Sequence, residues 1–213
     1  MKPWRLLLAD DHDIVLSGLR RVLDLHEFEI VGTVGDGQAL VSAAAELHPD
    51  VILTDLSMPL LNGIDAARRM RQTDSTVRII FLTMHTDIGY ATQALSLGNS
   101  GYVLKTAVAD ELPAAIHQVL SGRTYVSRAI RHAVEEALHA PADKGSTAAV
   151  DPLTPRQREV LQLLAEGRTT KQIAYKLEVS PKTVEFHKQR IREQLDLHTL
   201  AELARYAAKT GLV

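Results

Sequence analysis

The first half of the chain switches repeatedly between short apolar runs and stretches with apolar positions at helical spacing. Runs at 5–9, 30–34, 51–54, 78–83 and 102–104 read as five strands. Between and after them, helical periodicity predicts helices over roughly 13–25, 38–47, 64–72, 87–97 and 110–121. Five βα units in a row predict an α/β doubly wound five-stranded parallel sheet with helices on both faces. Ligands of such sheets bind beyond the carboxyl ends of the strands, so the polar residues there become the candidates.

The second half reads differently. A helix is expected over 127–139. The stretch 140–149 is small and polar without a period, which reads as a flexible linker ending near Pro152. The last 62 residues predict a small all-α four-helix domain, with helices at about 155–165, 170–177, 181–194 and 200–209. Capping boxes open three of them, at Thr154 with Gln157, Thr169 with Gln172, and Thr199 with Glu202. Ser180-Pro181 opens the fourth. The turn between the second and third is only Glu178-Val179-Ser180, which makes this pair a helix-turn-helix candidate. The expected domains are therefore 1–122, a linker region 123–151, and 152–213.

Composition narrows the classes. Apolar residues make up 46% and charged residues 23%, enough to build a core. The absence of cysteine excludes a disulfide framework, a thiolate metal site and a cysteine nucleophile. The longest apolar run falls far short of about 18 residues, so no membrane span is expected. The N-terminal apolar stretch is too short for a signal-peptide core, and the expected location is cytoplasmic. Residues 1–122 carry 9 Lys and Arg against 15 Asp and Glu, whereas 152–213 carry 11 against 7. An acidic front and a basic back point to a polyanion partner for the C-terminal part alone.

The expected strand ends gather an unusual set. The first ends in Asp10-Asp11, the third in Asp55, the fourth in Thr83 and the fifth in Lys105. In a parallel sheet these share one edge, and carboxylates in one crevice repel unless a cation joins them. With oxygen donors alone, a hard ion such as Mg²⁺ is the natural one. Asp55 could then be a nucleophile towards a phosphoryl group, with Lys105 and Thr83 holding its oxygens. Taken singly, each has a plainer reading: Asp11 or His12 opens the first helix, Asp55 caps a loop, Thr83 suits a strand and Lys105 is a solvated charge. Met58-Pro59 with Asn62-Gly63 makes a turn after the third strand that leaves the Ser57 carbonyl free as an ion ligand. His12 reads as a surface residue.

Residues 1–122 resemble the receiver domain of bacterial two-component response regulators. The motifs are Asp10-Asp11 in Ala-Asp-Asp-His, Asp55 in Thr-Asp-Leu-Ser-Met-Pro-Leu-Leu-Asn-Gly, Thr83, and Lys105 in Gly-Tyr-Val-Leu-Lys. The resemblance implies a flavodoxin-like fold, a phosphoacceptor at Asp55, and Mg²⁺ held by Asp11, Asp55 and the Ser57 carbonyl with Asp10 nearby. It implies a switch through Thr83 and Tyr102, and places Ser57 and His85 at positions that tune dephosphorylation. Thr106 follows Lys105 where many receivers have proline.

On a helical wheel of 181–194, Val184, Ile191 and Leu195 share one side, with His187 at its margin. Lys182, Glu185, Phe186, Gln189 and Glu193 point the other way. An outward Phe among polar residues suits a helix entering a DNA major groove. Lys171, Lys188, Arg190 and Arg192 flank that face, in position for phosphates. Leu153 to Leu161, Ala165-Glu-Gly, Lys171-Gln-Ile-Ala and Ser180-Pro-Lys-Thr-Val-Glu-Phe-His resemble the LuxR-type helix-turn-helix. Together the halves resemble the NarL/FixJ class of response regulators.

That class implies DNA contacts from Lys171, Lys182, Thr183, Glu185, Phe186, Lys188, Gln189 and Arg192, although it often carries a basic residue where Glu185 stands. It also implies a homodimer contact through Leu200, Leu203, Ala204 and Ala207 of the last helix. The implied partners are double-stranded DNA, a sensor histidine kinase and RNA polymerase, with no membrane. The expected function is a DNA-binding regulator, not an enzyme, switched by phosphorylation of Asp55. Its rivals are a phosphorylation-independent DNA-binding protein and an aspartyl phosphatase. The phosphatase would want a carboxylate where Ser57 stands.

Overall fold

The computed structural model describes residues 3–24, 27–84, 86, 88–139 and 152–213. The strands are β1 (Trp4–Ala9), β2 (Phe28–Val34), β3 (Val51–Asp55), β4 (Ile79–Thr83), β5 (Ser100–Leu104) and β6 (Tyr125–Val126). All neighbours pair in parallel, in the order β2-β1-β3-β4-β5-β6. The strand order reverses between β1 and β3, and the crevice of a doubly wound sheet opens at that reversal.

Strand side chains alternate between two apolar layers. Leu6 and Leu8 of β1 pack with α1 (Asp13–Leu23) and α5 (Val108–Leu120), while Leu7 and Ala9 enter the opposite layer. That second layer is covered by α2 (Gly37–Leu47), α3 (Gly63–Thr73), α4 (Ile88–Ser96) and α6 (Arg131–His139). With both faces buried, the strands read as continuous apolar runs.

The five expected strands are present, and β6 is added. Its two residues pair with Gly101 and Tyr102 at the outer edge of β5, and two residues carry no legible period. The helix expected from 127 begins at Arg131, because Ser127 is already engaged. Its hydroxyl donates to Glu111 at 2.7 Å and accepts the Leu104 N–H at 3.0 Å. Ile130 and Val134 then bury themselves in the sheet domain's core, so 125–139 belongs to that domain's edge. The expected linker 140–149 lies outside the described residues.

The helical domain comprises α7 (Pro155–Ala165), α8 (Thr170–Lys176), α9 (Pro181–Leu195) and α10 (Leu200–Lys209). All three capping boxes form as reciprocal pairs, and Ser180 caps α9 by accepting the Thr183 N–H. Leu161, Ile173, Val184, Ile191 and Leu203 meet in one core. The tight turn between α8 and α9 puts Glu178 in the left-handed region, at φ 54°.

The domains touch along α7. Its Gln157, Arg158, Glu159 and Gln162 are polar yet almost fully buried. Arg158 Nε lies 2.9 and 3.0 Å from the two carboxylate oxygens of Asp65 in α3.

Candidate phosphoacceptor site and nucleic-acid interface

Asp55 is the last residue of β3, Asp10 follows β1, and Lys105 follows β5. The parallel register therefore delivers all three to one edge. Lys105 Nζ donates to Asp10 at 2.7 Å and to Asp55 at 2.8 Å. Asp10 also accepts the His12 N–H at 2.9 Å, which fixes its carboxylate. Asp10 and Asp55 are buried, whereas Asp11 is exposed. Gly63 makes this edge possible, because a Cβ there would collide with the Asp55 carbonyl oxygen and lift α3 off the end of β3.

Burial pushes the Asp55 carboxyl above its ordinary value, and Asp10 adds to that. The Lys105 hydrogen bond and charge pull it back without cancelling the rise. Burial alone would lower Lys105, but its bonds to Asp10 and Asp55 hold the ammonium above its ordinary value. The result is a half-buried cation shared by two carboxylates.

Asp10, Asp11, His12 and Asp55 each offer a ligand atom, and these atoms all lie within 4.8 Å of one another. His12 is a surface residue, as read from sequence, and its Nδ1 lies 2.9 Å from Asp11 and 3.1 Å from Asp10. Oxygen donors dominate the set and fit a hard divalent cation. The Ser57 hydroxyl is buried with no hydrogen-bond partner. Thr83 ends β4 opposite Leu104, beside Asp55, and is fully buried. Tyr102 is also fully buried, in the layer under α4. His85 lies outside the described residues.

In the helical domain, Lys171, Lys182, Glu185, Phe186 and Gln189 are exposed, while Thr183, Lys188 and Arg192 are half-buried. Phe186 is 55% exposed, and the Arg190 guanidinium lies 5.5 Å from its ring centre. Glu185 accepts from Lys188 at 2.8 Å and from Thr170 at 2.6 Å. These bonds hold its carboxyl below the ordinary value, with Lys188 the larger cause. Of the stripe on α10, Leu203 and Ala207 are buried in the domain's own core, Ala204 is half-buried and Leu200 is 54% exposed. No helix among the described residues is long and apolar enough to cross a membrane.

Residues 6–117 match the response regulator receiver domain, and residues 151–207 match the luxR family of bacterial regulatory proteins. The chain belongs to the NarL/FixJ class of response regulators, two-component regulators of transcription with a DNA-binding domain. Among its relatives, the transcriptional regulatory protein MctR of Rhizobium johnstonii is 37% identical over 98% of this chain and 95% of its own length. The oxygen regulatory protein NreC of Staphylococcus haemolyticus is 38% identical over 98% and 99%. Among solved structures, the response regulator RcsB of Salmonella typhimurium superposes with a TM-score of 0.66 at 28% identity, covering 98% of both chains. RcsB from Salmonella enterica serovar Typhimurium, bound to the promoter rprA with the phosphomimetic BeF3−, gives 0.58 at 30% identity, covering 95% of this chain and 97% of its own.

Proposed function

We propose that this regulator is switched by Mg²⁺-dependent phosphorylation of Asp55 by a sensor histidine kinase, and that it reads DNA in the cytoplasm as a homodimer through α9. The observation that carries the switch is the shared Lys105, bonded at 2.7 Å to Asp10 and 2.8 Å to Asp55, beside ligand atoms of Asp11 and His12. Asp10, Asp11 and Asp55 would hold the ion, with the Ser57 carbonyl as a further oxygen. When bound, the ion neutralises the carboxylates and lets an anionic phosphodonor approach.

An Asp55 carboxylate oxygen attacks the phosphorus of the donor phosphohistidine. The O–P bond forms as the N–P bond breaks, the imidazole leaves with the electron pair and takes up a proton, and Asp55 becomes an acyl phosphate. Lys105 is positioned to transfer its hydrogen bond from the carboxylate to a phosphoryl oxygen, and Thr83 to donate to another. Redirecting Lys105 and Thr83 biases the α4–β5–α5 face, in which Tyr102 is buried.

The exposed face of α9, with Lys182, Phe186 and Gln189, supports entry into the major groove, and Lys171 and Lys188 support phosphate contacts. Leu200 and Ala204 are what the α10 stripe leaves for a partner copy. Incubation with acetyl phosphate tests the switch: Asp55 should be labelled only when Mg²⁺ is present, and Asp55→Ala should abolish labelling. Full labelling of that variant on another residue would refute the assignment.

A further inference from the structure

The charges on the outward face of α9 pair with one another. Glu185 accepts from Lys188 at 2.8 Å and from Thr170 at 2.6 Å. Glu193 accepts from Gln189 at 2.9 Å through one carboxylate oxygen and from Arg190 at 3.3 Å through the other. The polar groups that could bond to a base edge therefore already have partners on the protein, and a base has to displace one of these before it is read.

Phe186 stands apart from this. Among the described residues of α9 it is the large apolar side chain left exposed, at 55%, whereas Val184 and Ile191 of the same helix are buried in the domain core. Its ring is braced on the helix. The Arg190 guanidinium carbon lies 5.5 Å from the ring centre, and the His187 ring meets it edge-on with centres 5.7 Å apart. A ring already held in place loses little rotamer freedom when a partner covers it. The apolar group that a base pair offers in the major groove is the methyl on C5 of a pyrimidine, which thymine carries and cytosine lacks. In 5-methylcytosine that methyl occupies the same ring position.

Resting on the entry of α9 into the major groove proposed above, we infer that Phe186 is a specificity-determining residue that reads the C5 methyl of a pyrimidine, taking thymine and 5-methylcytosine alike. Cytosine and 5-methylcytosine present the same hydrogen-bonding edge, so a helix that read only that edge would not respond to cytosine methylation. A helix that reads through Phe186 does respond. Burying one methyl group corresponds to about a fourfold gain in affinity for each half-site contacted.

The test uses the full chain with Mg²⁺ and BeF3−, and a duplex selected by the wild type from a random pool. Each thymine of the half-site is replaced in turn by uracil, cytosine or 5-methylcytosine, with guanine opposite the last two. At one position or more the wild type should favour thymine over uracil about fourfold per half-site, and 5-methylcytosine over cytosine by a similar ratio. Phe186→Ala should bring both ratios to about one, and Phe186→Leu, which keeps an apolar end, should retain most of each. Because Phe186 lies outside the domain core, both variants keep the fold. Gln189→Ala and Lys182→Ala are titrated on the same selected duplex. A wild type indifferent to uracil at every position, or a Phe186→Ala chain with the wild-type ratios, overturns this inference alone, provided any of the three alanine variants binds the selected duplex more weakly. If none of them does, or if the wild type selects no duplex, the placement of α9 falls, and this inference with it.

Discussion

The Ser127 hydroxyl donates to the buried carboxylate of Glu111 at 2.7 Å, tying the start of the α6 segment to α5 beside the strand that carries Tyr102 and leads into Lys105. Tyr125 donates to the same carboxylate at 3.1 Å, and Ser127 also takes the Leu104 N–H. Ser127→Ala strands that buried N–H and should cost about 1–3 kcal/mol. Urea unfolding of the full chain measures it, and Ser127→Thr should recover most of the loss. An unchanged midpoint for Ser127→Ala would remove this network from the account of the fold.

Asp55 gives a pH signature. Its carboxyl stands above the ordinary 3.8 in the folded chain, chiefly through burial. The fold therefore loses stability as pH rises from that ordinary value through the raised one, and carries a constant penalty above both. Asp55→Asn should remove the penalty and raise Tm at pH 7 by about 2–4 °C for each kcal/mol recovered. Mg²⁺ at ten times its Kd should stabilise the wild type by about 1.4 kcal/mol and the variant by less. Calorimetry with and without Mg²⁺ at pH 4 and 7 checks both.

Asp65 carries the opposite sign. Burial pushes its carboxyl up, but the Arg158 bonds and charge, with Asn62 and Arg68, outweigh burial and hold it below 3.8. Its contribution to docking is fully present above that ordinary value and is lost as pH falls through the depressed one. Arg158→Met leaves the buried Asp65 carboxylate with Arg68 and Asn62 but without its main cationic partner, a cost of about 1.5–3 kcal/mol that the chain avoids by separating its domains. Small-angle scattering should show a larger radius of gyration for the variant at pH 7, and for the wild type only in acid.

Lys188 spends its charge on Glu185, which also accepts from Thr170. Glu185→Ala should free that ammonium for a phosphate, strengthen binding to specific and random DNA alike, and steepen the salt slope by about one unit. Gln189→Ala should instead cost roughly 1–3 kcal/mol on the cognate site and relax one or two base preferences. Titrations across a salt series on cognate and scrambled duplexes separate the two. Equal losses on both duplexes for Gln189→Ala would mean that α9 enters the groove in another orientation.

Much of this arrangement is written locally. The strand ends at Asp10, Asp55, Thr83 and Lys105 follow from apolar runs that stop abruptly, and the caps at Thr154, Thr169 and Thr199 need only their own next turn. What sequence hides depends on a distant surface. Arg158, Glu159 and Gln162 look like a solvated helix face, because each has partners in the other domain. Leu203 and Ala207 look like spare apolar area until α7 covers them. His12 shows no metal-ligand spacing, since the carboxylates it meets come partly from its own turn and partly from β3.

The placement of β6 limits how two copies can join. Tyr125 and Val126 occupy the outer edge of β5 at Gly101 and Tyr102, and the Ser127 hydroxyl takes the N–H of Leu104. A strand from a second molecule finds no open row of amides along β5, and the two-residue β6 offers too short a template of its own. Continuous intermolecular sheets through this edge are closed off. Assembly of two sheet domains on this side must proceed by packing of helix surfaces, whose side chains can be recut without disturbing the strands beneath.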